Sequence, residues 1–113
     1  MRYEAPETKG EAVSLLSMAN GSGRVLAGGT DLLVQLRSGA IDPDIVVDIK
    51  QIAETREIIV ENGVFRVGAA VTGAELDEHK ALKKAWPGVV EAVELIGSTQ
   101  IQGRASMGGN LCN

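Results

Sequence analysis

Residues 24–39 read RVLAGGTDLLVQLRSG, and the fold turns on this stretch. The apolar run 24–27 is the right length for one short buried strand. Gly28-Gly29 interrupts it. Thr30 or Asp31 then stands where a helix N-cap belongs, and Gly39 stands where the helix stops. Toward the N-terminus, residues 3–23 (YEAPETKGEAVSLLSMANGSG) predict an extended entry, a helix and a turn. Thr8 and Glu11 have capping-box spacing. Ala12, Val13, Leu15, Leu16 and Ala19 make an apolar helical face, which the NGSG at 20–23 ends. Toward the C-terminus, DPDIVVDI (42–49) is a second short strand with a Val/Ile core. The first fifty or so residues therefore alternate helix, strand, helix, strand, the pattern of a small parallel βαβ-like unit.

The texture changes after that. REIIVENGVFRVGA (56–69) predicts two strands joined by Asn62-Gly63, because a tight hairpin turn wants positive φ at both central positions. Thr72 and Glu75 form a second capping box at the head of another helix. WPGVVEAVELIGS (86–98) predicts a further helix stopped by Gly97, with Trp86 as a packing anchor. TQIQGRASMGGNLCN (99–113) shows no clear period. A soft boundary near 50–56 divides the chain into subdomains 1–55 and 56–113.

Composition narrows the class. The 113 residues are 44% hydrophobic and 23% charged, with a net charge of −4, which is ordinary for a globular domain. No basic stripe is present, so nucleic acid is not an expected partner. No apolar run approaches the roughly 20 residues of a membrane span, and the first residues lack the apolar core of a secretory signal. Glycine is abundant, 14 of 113, against an ordinary share of ~7%. The single cysteine, Cys112, excludes an internal disulfide or a Cys-rich metal or iron–sulfur site within this chain, and fits a reducing, cytoplasmic setting. Cys112 has a packing role or none. His79 reads as solvated, and Glu75, Asp77 and Glu78 as a solvated acidic helix face.

The glycine pair 28–29 has two readings. One is a plain strand-to-helix turn with a Thr/Asp cap. The other is an anion cradle: a helix N-terminus leaves N–H groups unpaired and carries partial positive charge, and glycine lets an anion come close. A P-loop is excluded, since Thr-Asp follows the glycines rather than Lys-Ser/Thr. GSGRVL (21–26) precedes the strand and lacks the third glycine of a dinucleotide fingerprint. RASMGGNLCN (104–113) holds a second Gly-Gly, flanked by Ser106 and Asn110, whose side chains bond phosphate or hydroxyl oxygens. It reads either as a surface turn or as a second cradle. Together the two glycine turns would clamp a pyrophosphate. Each amide bond to a charged oxygen is worth about 1.5–3 kcal/mol.

With both stretches in view, the chain resembles the N-terminal part of the FAD-binding (medium) subunit or domain of molybdenum hydroxylases, the family of carbon monoxide and xanthine dehydrogenases. RVLAGGTDLLVQLRSG, PDIVVDI, VGAAVT followed by EL, and STQIQGRASMGGNLCN carry the resemblance, in the family's order and over nearly the whole chain. It implies an α+β fold, the N-terminal half of a vanillyl-alcohol-oxidase-type FAD-binding fold, with a βαβ-like subdomain followed by the start of a second α+β subdomain. It implies FAD as cofactor, its pyrophosphate held by Ala27, Gly28, Gly29, Thr30 and Asp31, with Leu26 and Leu32 flanking. Ser106, Met107, Gly108, Gly109 and Asn110 would lie along the pyrophosphate and ribityl chain, and Ile96 matches a position that touches the cofactor. The family often carries Arg-Asn where this chain has Gln102-Gly103, which implies the loss of one local contact.

The resemblance further implies an oxidoreductase complex. FAD would relay electrons from 2Fe-2S clusters on a small partner subunit to a final acceptor, and the molybdenum cofactor would sit on a large subunit. No catalytic side chain and no metal ligand is expected in this chain. Family members continue well past GGNLCN, so the 113 residues are expected to be a truncated, inactive piece that holds FAD more weakly than a complete subunit. The alternative is a non-catalytic fragment with little or no FAD, acting only in subunit interaction or self-association.

Overall fold

A computed structural model describes residues 1–112. Its first half is β1 (Arg2–Glu4), α1 (Lys9–Met18), β2 (Gly23–Leu26), α2 (Leu32–Ser38) and β3 (Ile45–Asp48). The three strands form one parallel sheet in the order β1-β3-β2. β3 is central because Ile45, Val46 and Val47 form a β-branched run that the other two strands of this sheet lack, and all four of its residues are buried. Ala12, Ile45, Val47 and Ile52 form the core here, with Leu15 and Leu16 of α1 and Ala19 at its C-cap packed on it. Each large aliphatic side chain buried this way contributes about 1.5–3 kcal/mol.

Several expectations shift in this half. Residues 24–27 are not a buried strand. β2 runs one residue earlier and lies on the sheet edge, so only Leu26 is buried. The extended entry is a true strand, β1. Val13, expected on the apolar face of α1, is exposed. Thr8 caps α1, accepting from the Glu11 N–H at 3.2 Å, but the Glu11 carboxylate reaches the Glu7 N–H instead of closing the box.

The second half opens with the hairpin β4 (Ile58–Glu61) and β5 (Val64–Val67), antiparallel with Val60 opposite Phe65. Asn62 and Gly63 both have positive φ, as the Asn-Gly pair predicts. Helices α3 (Gly73–Glu78), α4 (Lys80–Ala85) and α5 (Pro87–Glu94) follow. Their core is Val71, Leu76, Leu82, Val90 and Val93, with Ile58, Phe65 and Val67 of the hairpin packed against it. The Thr72–Glu75 box is complete. A 3₁₀ turn, Ala53–Arg56, joins the halves. Its Thr55 hydroxyl donates to the Ile49 and Ile52 carbonyls, and its Thr55 carbonyl accepts from the Ala70 N–H at 2.8 Å.

Here too the structure corrects the sequence reading. His79 is half-buried, not solvated: it breaks α3 from α4, and its Nδ1 accepts the Leu82 N–H at 3.1 Å, taking the cap role of an Asp or Ser. Its ring meets Phe65 edge-on. Trp86 is exposed rather than packed into the core; Val90 and Val93 bury α5 instead. α5 ends at Glu94, before Gly97, so the helix expected over 86–98 is shorter at both ends. The stretch without a period holds two short helices, α6 (Thr99–Gln102) and α7 (Met107–Cys112). Among the described residues, no helix is long and apolar enough to cross a membrane.

Candidate functional site

β2 delivers the chain to the first glycine pair at the end of the sheet. Leu26 is buried beside Asp48, and the backbone leaves the sheet through Ala27. Gly29 then makes the turn at φ +79°, a conformation that costs an L side chain strain. Gly28 has a different reason. A Cβ there would collide with the Arg104 carbonyl and lie 3.1 Å from the Ala105 Cα. The first glycine is needed for packing against the chain's other glycine segment.

Asp31 occupies the N-cap position of α2 but caps nothing with its side chain. Its Oδ2 accepts from the Gln35 amide at 2.8 Å. The Leu33 and Gln35 N–H groups bond to the Gly29 and Asp31 carbonyls. Among the described residues, the N–H groups of Gly28, Gly29, Thr30, Asp31 and Leu32 have no hydrogen-bond partner. A row of open donors on a half-buried loop is the electrostatic requirement for holding an anion.

The second glycine pair is not the turn it resembles in sequence. Gly108 and Gly109 lie in the first turn of α7, and Ser106 caps that helix. The Ser106 Oγ accepts from the Gly109 N–H at 2.9 Å, and its carbonyl accepts from Asn110 at 3.0 Å. Ser106 is buried, bridged to Thr72, while Gly73 donates to the Ala105 carbonyl. Gly108 sits on the Ala69 backbone, where a Cβ would come within 2.8 Å of the Ala69 carbonyl oxygen.

The two segments face each other across one cleft of ≈ 590 Å³, within the usual range of ligand sites. Ala27, Gly28, Gly29, Thr30, Asp31 and Leu32 form one wall. Ser106, Gly108, Gly109 and Asn110 form the other. Three expected residues lie elsewhere. Leu26 is buried in the sheet, and Met107 and Ile96 pack on the second core. Sequence reasoning missed Arg24 and Val25 on the edge strand, Gln35 one helical turn from Asp31, and Ile49, Ala69 and Ala105 at the base. Cys112 is exposed on the rim. Gln35 was findable from its i+4 spacing to Asp31; Ile49 and Ala69 arrive only through tertiary contact.

Behind the first wall lies a charged network. Asp48 is buried and accepts from the Tyr3 hydroxyl, the Lys50 N–H and the Lys50 ammonium. Burial pushes the Asp48 carboxyl up, but these donors outweigh it and hold the group below its ordinary 3.8. Tyr3 is raised above 10.0, first by its bond to Asp48, then by burial and by the Asp48 charge. On the far side, Asp77 is lowered chiefly by its bond to Lys83, and Glu75 is engaged in its capping box. A concavity of ≈ 510 Å³ beside α1 is lined by Glu4, Glu7 and Glu11, whose charges repel an anion. Among the described residues, no cluster of three or more His, Cys, Asp or Glu is placed to hold a metal.

Residues 1–113 match the family described as "FAD binding domain in molybdopterin dehydrogenase". The chain belongs to this family. It is 37% identical over 112 residues to the xanthine dehydrogenase FAD-binding subunit of Escherichia coli O157:H7, covering 98% of this chain and 38% of that one. To the nicotinate dehydrogenase FAD-subunit of Eubacterium barkeri it is 33% identical, covering 96% and 37%. Among solved structures, carbon monoxide dehydrogenase from Hydrogenophaga pseudoflava superposes with a TM-score of 0.93 at 32% identity, covering 98% of this chain and 39% of that one. The chain thus spans under two-fifths of the length of these relatives. Their agreement carries the expected α+β fold of a FAD-binding domain. It also favours the FAD-binding reading over that of a bare interaction fragment.

Proposed function

We propose that the cleft holds the pyrophosphate of FAD, and that the chain is the pyrophosphate-binding part of a FAD subunit in a molybdenum-hydroxylase-type dehydrogenase. The observation that carries this is the row of unpartnered N–H groups from Gly28 to Leu32, facing the start of α7 across one cleft. The residues fit the group. No side chain projects at 28 or 29, the Asp31 carboxylate is drawn aside by Gln35, and Ser106 and Asn110 bring a hydroxyl and an amide to the opposite wall. Bound FAD supplies the redox chemistry; the chain binds and orients it. Leu26, Met107 and Ile96 act from behind, setting the position of the walls they adjoin.

In this reading the parallel sheet of 1–55 and the hairpin-and-helix unit of 56–113 are two lobes with the cofactor between them. The relatives' names, a FAD-binding subunit and a carbon monoxide dehydrogenase with a molybdenum cofactor, support assembly with a molybdenum-containing subunit; an iron–sulfur small subunit and a cytoplasmic setting belong to the same proposal. The test is a titration of the chain with FAD, read by flavin fluorescence and by backbone amide shifts. Saturable binding with shifts centred on 28–32 is expected. Shifts centred elsewhere, or no saturation, would sink the assignment.

A further inference from the structure

Lys50 lies two residues past β3 and folds back behind the first glycine loop. Its ammonium donates to the Ala27 carbonyl at 2.8 Å and to Asp48 Oδ1 at 2.9 Å. Asp48 is itself fixed by the Tyr3 hydroxyl on its other oxygen, so the grip on Ala27 is anchored in both outer strands' neighbour, β3. Ala27 and Gly28 line the cleft, whereas Lys50 does not. The Ala27–Gly28 peptide is trans, and a trans peptide points its C=O and N–H in opposite directions. With the carbonyl held on the Lys50 side, the Gly28 N–H is turned toward the cleft, where it has no partner among the described residues. The ammonium is paired with Asp48, so it adds little net charge; it orients and polarises the peptide.

We propose that Lys50 is a positioning residue for the cofactor loop: anchored by Asp48, it holds the Ala27 carbonyl so that the Gly28 N–H is presented to the FAD pyrophosphate. This rests on the pyrophosphate reading above. A hydrogen bond from a well-aimed amide to a charged oxygen is strong enough that losing it weakens binding at least about ten-fold.

The experiment compares the wild-type chain with Lys50→Met and Lys50→Arg, using FAD as the probe. Lys50→Met is expected to raise the FAD Kd about ten-fold or more and, in the FAD-free chain, to shift the Gly28 amide resonance. Lys50→Arg, which restores a cationic donor, is expected to recover both, a rescue that a mere loss of packing would not give. Should Lys50→Met not fold, Lys50→Leu, which also lacks a donor, carries the same expectation. Wild-type-like FAD binding, or an unmoved Gly28 amide, in the folded neutral variant overturns the Lys50 assignment alone. Failure of the wild type to bind FAD overturns the pyrophosphate reading and this one with it.

Discussion

The two glycine pairs are the same dipeptide put to different use. Gly28-Gly29 is a loop between strand and helix, with positive φ at its second residue and a row of open amides. Gly108-Gly109 is the first turn of a helix, with the Gly109 amide already taken by Ser106. Yet Gly28 and Gly108 share one property: each lets backbone touch backbone, Gly28 on 104–105 and Gly108 on Ala69. The contrast separates two reasons for glycine that a motif merges. One residue of each pair joins the walls; the second pair has its Gly109 amide taken by Ser106, whereas neither amide of the first pair has a partner among the described residues.

The sharpest way to break this comparison is at the joining residues. Gly28→Ala drives a methyl into the Arg104 carbonyl, which is backbone and has no rotamer to yield. Overpacking of this kind costs about 3 kcal/mol or more, read as a lowered denaturation midpoint. Gly108→Ala meets the Ala69 backbone at 2.8–2.9 Å, a less severe approach in a short helix, and should cost about 1–2 kcal/mol. Equal, near-zero losses would show that neither wall depends on close backbone contact.

The caps offer a smaller test. Ser106 caps α7 with its side chain and is buried, so Ser106→Ala should lose about 1 kcal/mol. Asp31 sits at the equivalent position of α2 without capping, so Asp31→Ala should change stability by less than about 0.5 kcal/mol. Paired unfolding curves decide it. A large loss at Asp31 would mean the first loop is a capped turn after all, and its amides are not open.

Much of this architecture was legible in local chemistry. Asn62-Gly63, the Thr72–Glu75 box and the buried run at 45–48 each specify their element through neighbouring residues, and the structure has all three. Both walls of the cleft were also readable as glycine-rich segments. What escaped was short or long-range. A period of 3.6 cannot declare itself in the four residues of α6 or the six of α7, and three residues of β1 look like any extended lead-in. His79 was misread because capping by imidazole leaves no spacing signature. Lys50 escaped because its partner, Ala27, is a carbonyl 23 residues away, and carbonyls have no sequence code.

That last difference gives the two walls different sensitivity to pH. The first wall is gripped through Asp48, whose carboxyl lies below its ordinary 3.8 in the folded chain. A depressed carboxyl stabilises the fold fully above 3.8, and the contribution is lost as pH falls through the lower folded value. The second wall is held by Ser106 and by backbone, neither of which titrates. Lowering the pH from about 5 should therefore move the Gly28 amide resonance before that of Gly109. At the alkaline end the sign reverses. Tyr3 is raised above 10.0, so its hydroxyl supports Asp48 below that pH and withdraws as pH climbs through the folded value. Tyr3 is the only tyrosine, so phenolate absorbance reports it alone. Its midpoint should lie above 10.0 and return toward it in Asp48→Asn, because the bond to the Asp48 carboxylate is the largest source of the shift, ahead of burial and of the Asp48 charge. A midpoint unaltered by Asp48→Asn would uncouple β1 from the glycine loop, and leave both walls held by backbone contacts of one kind.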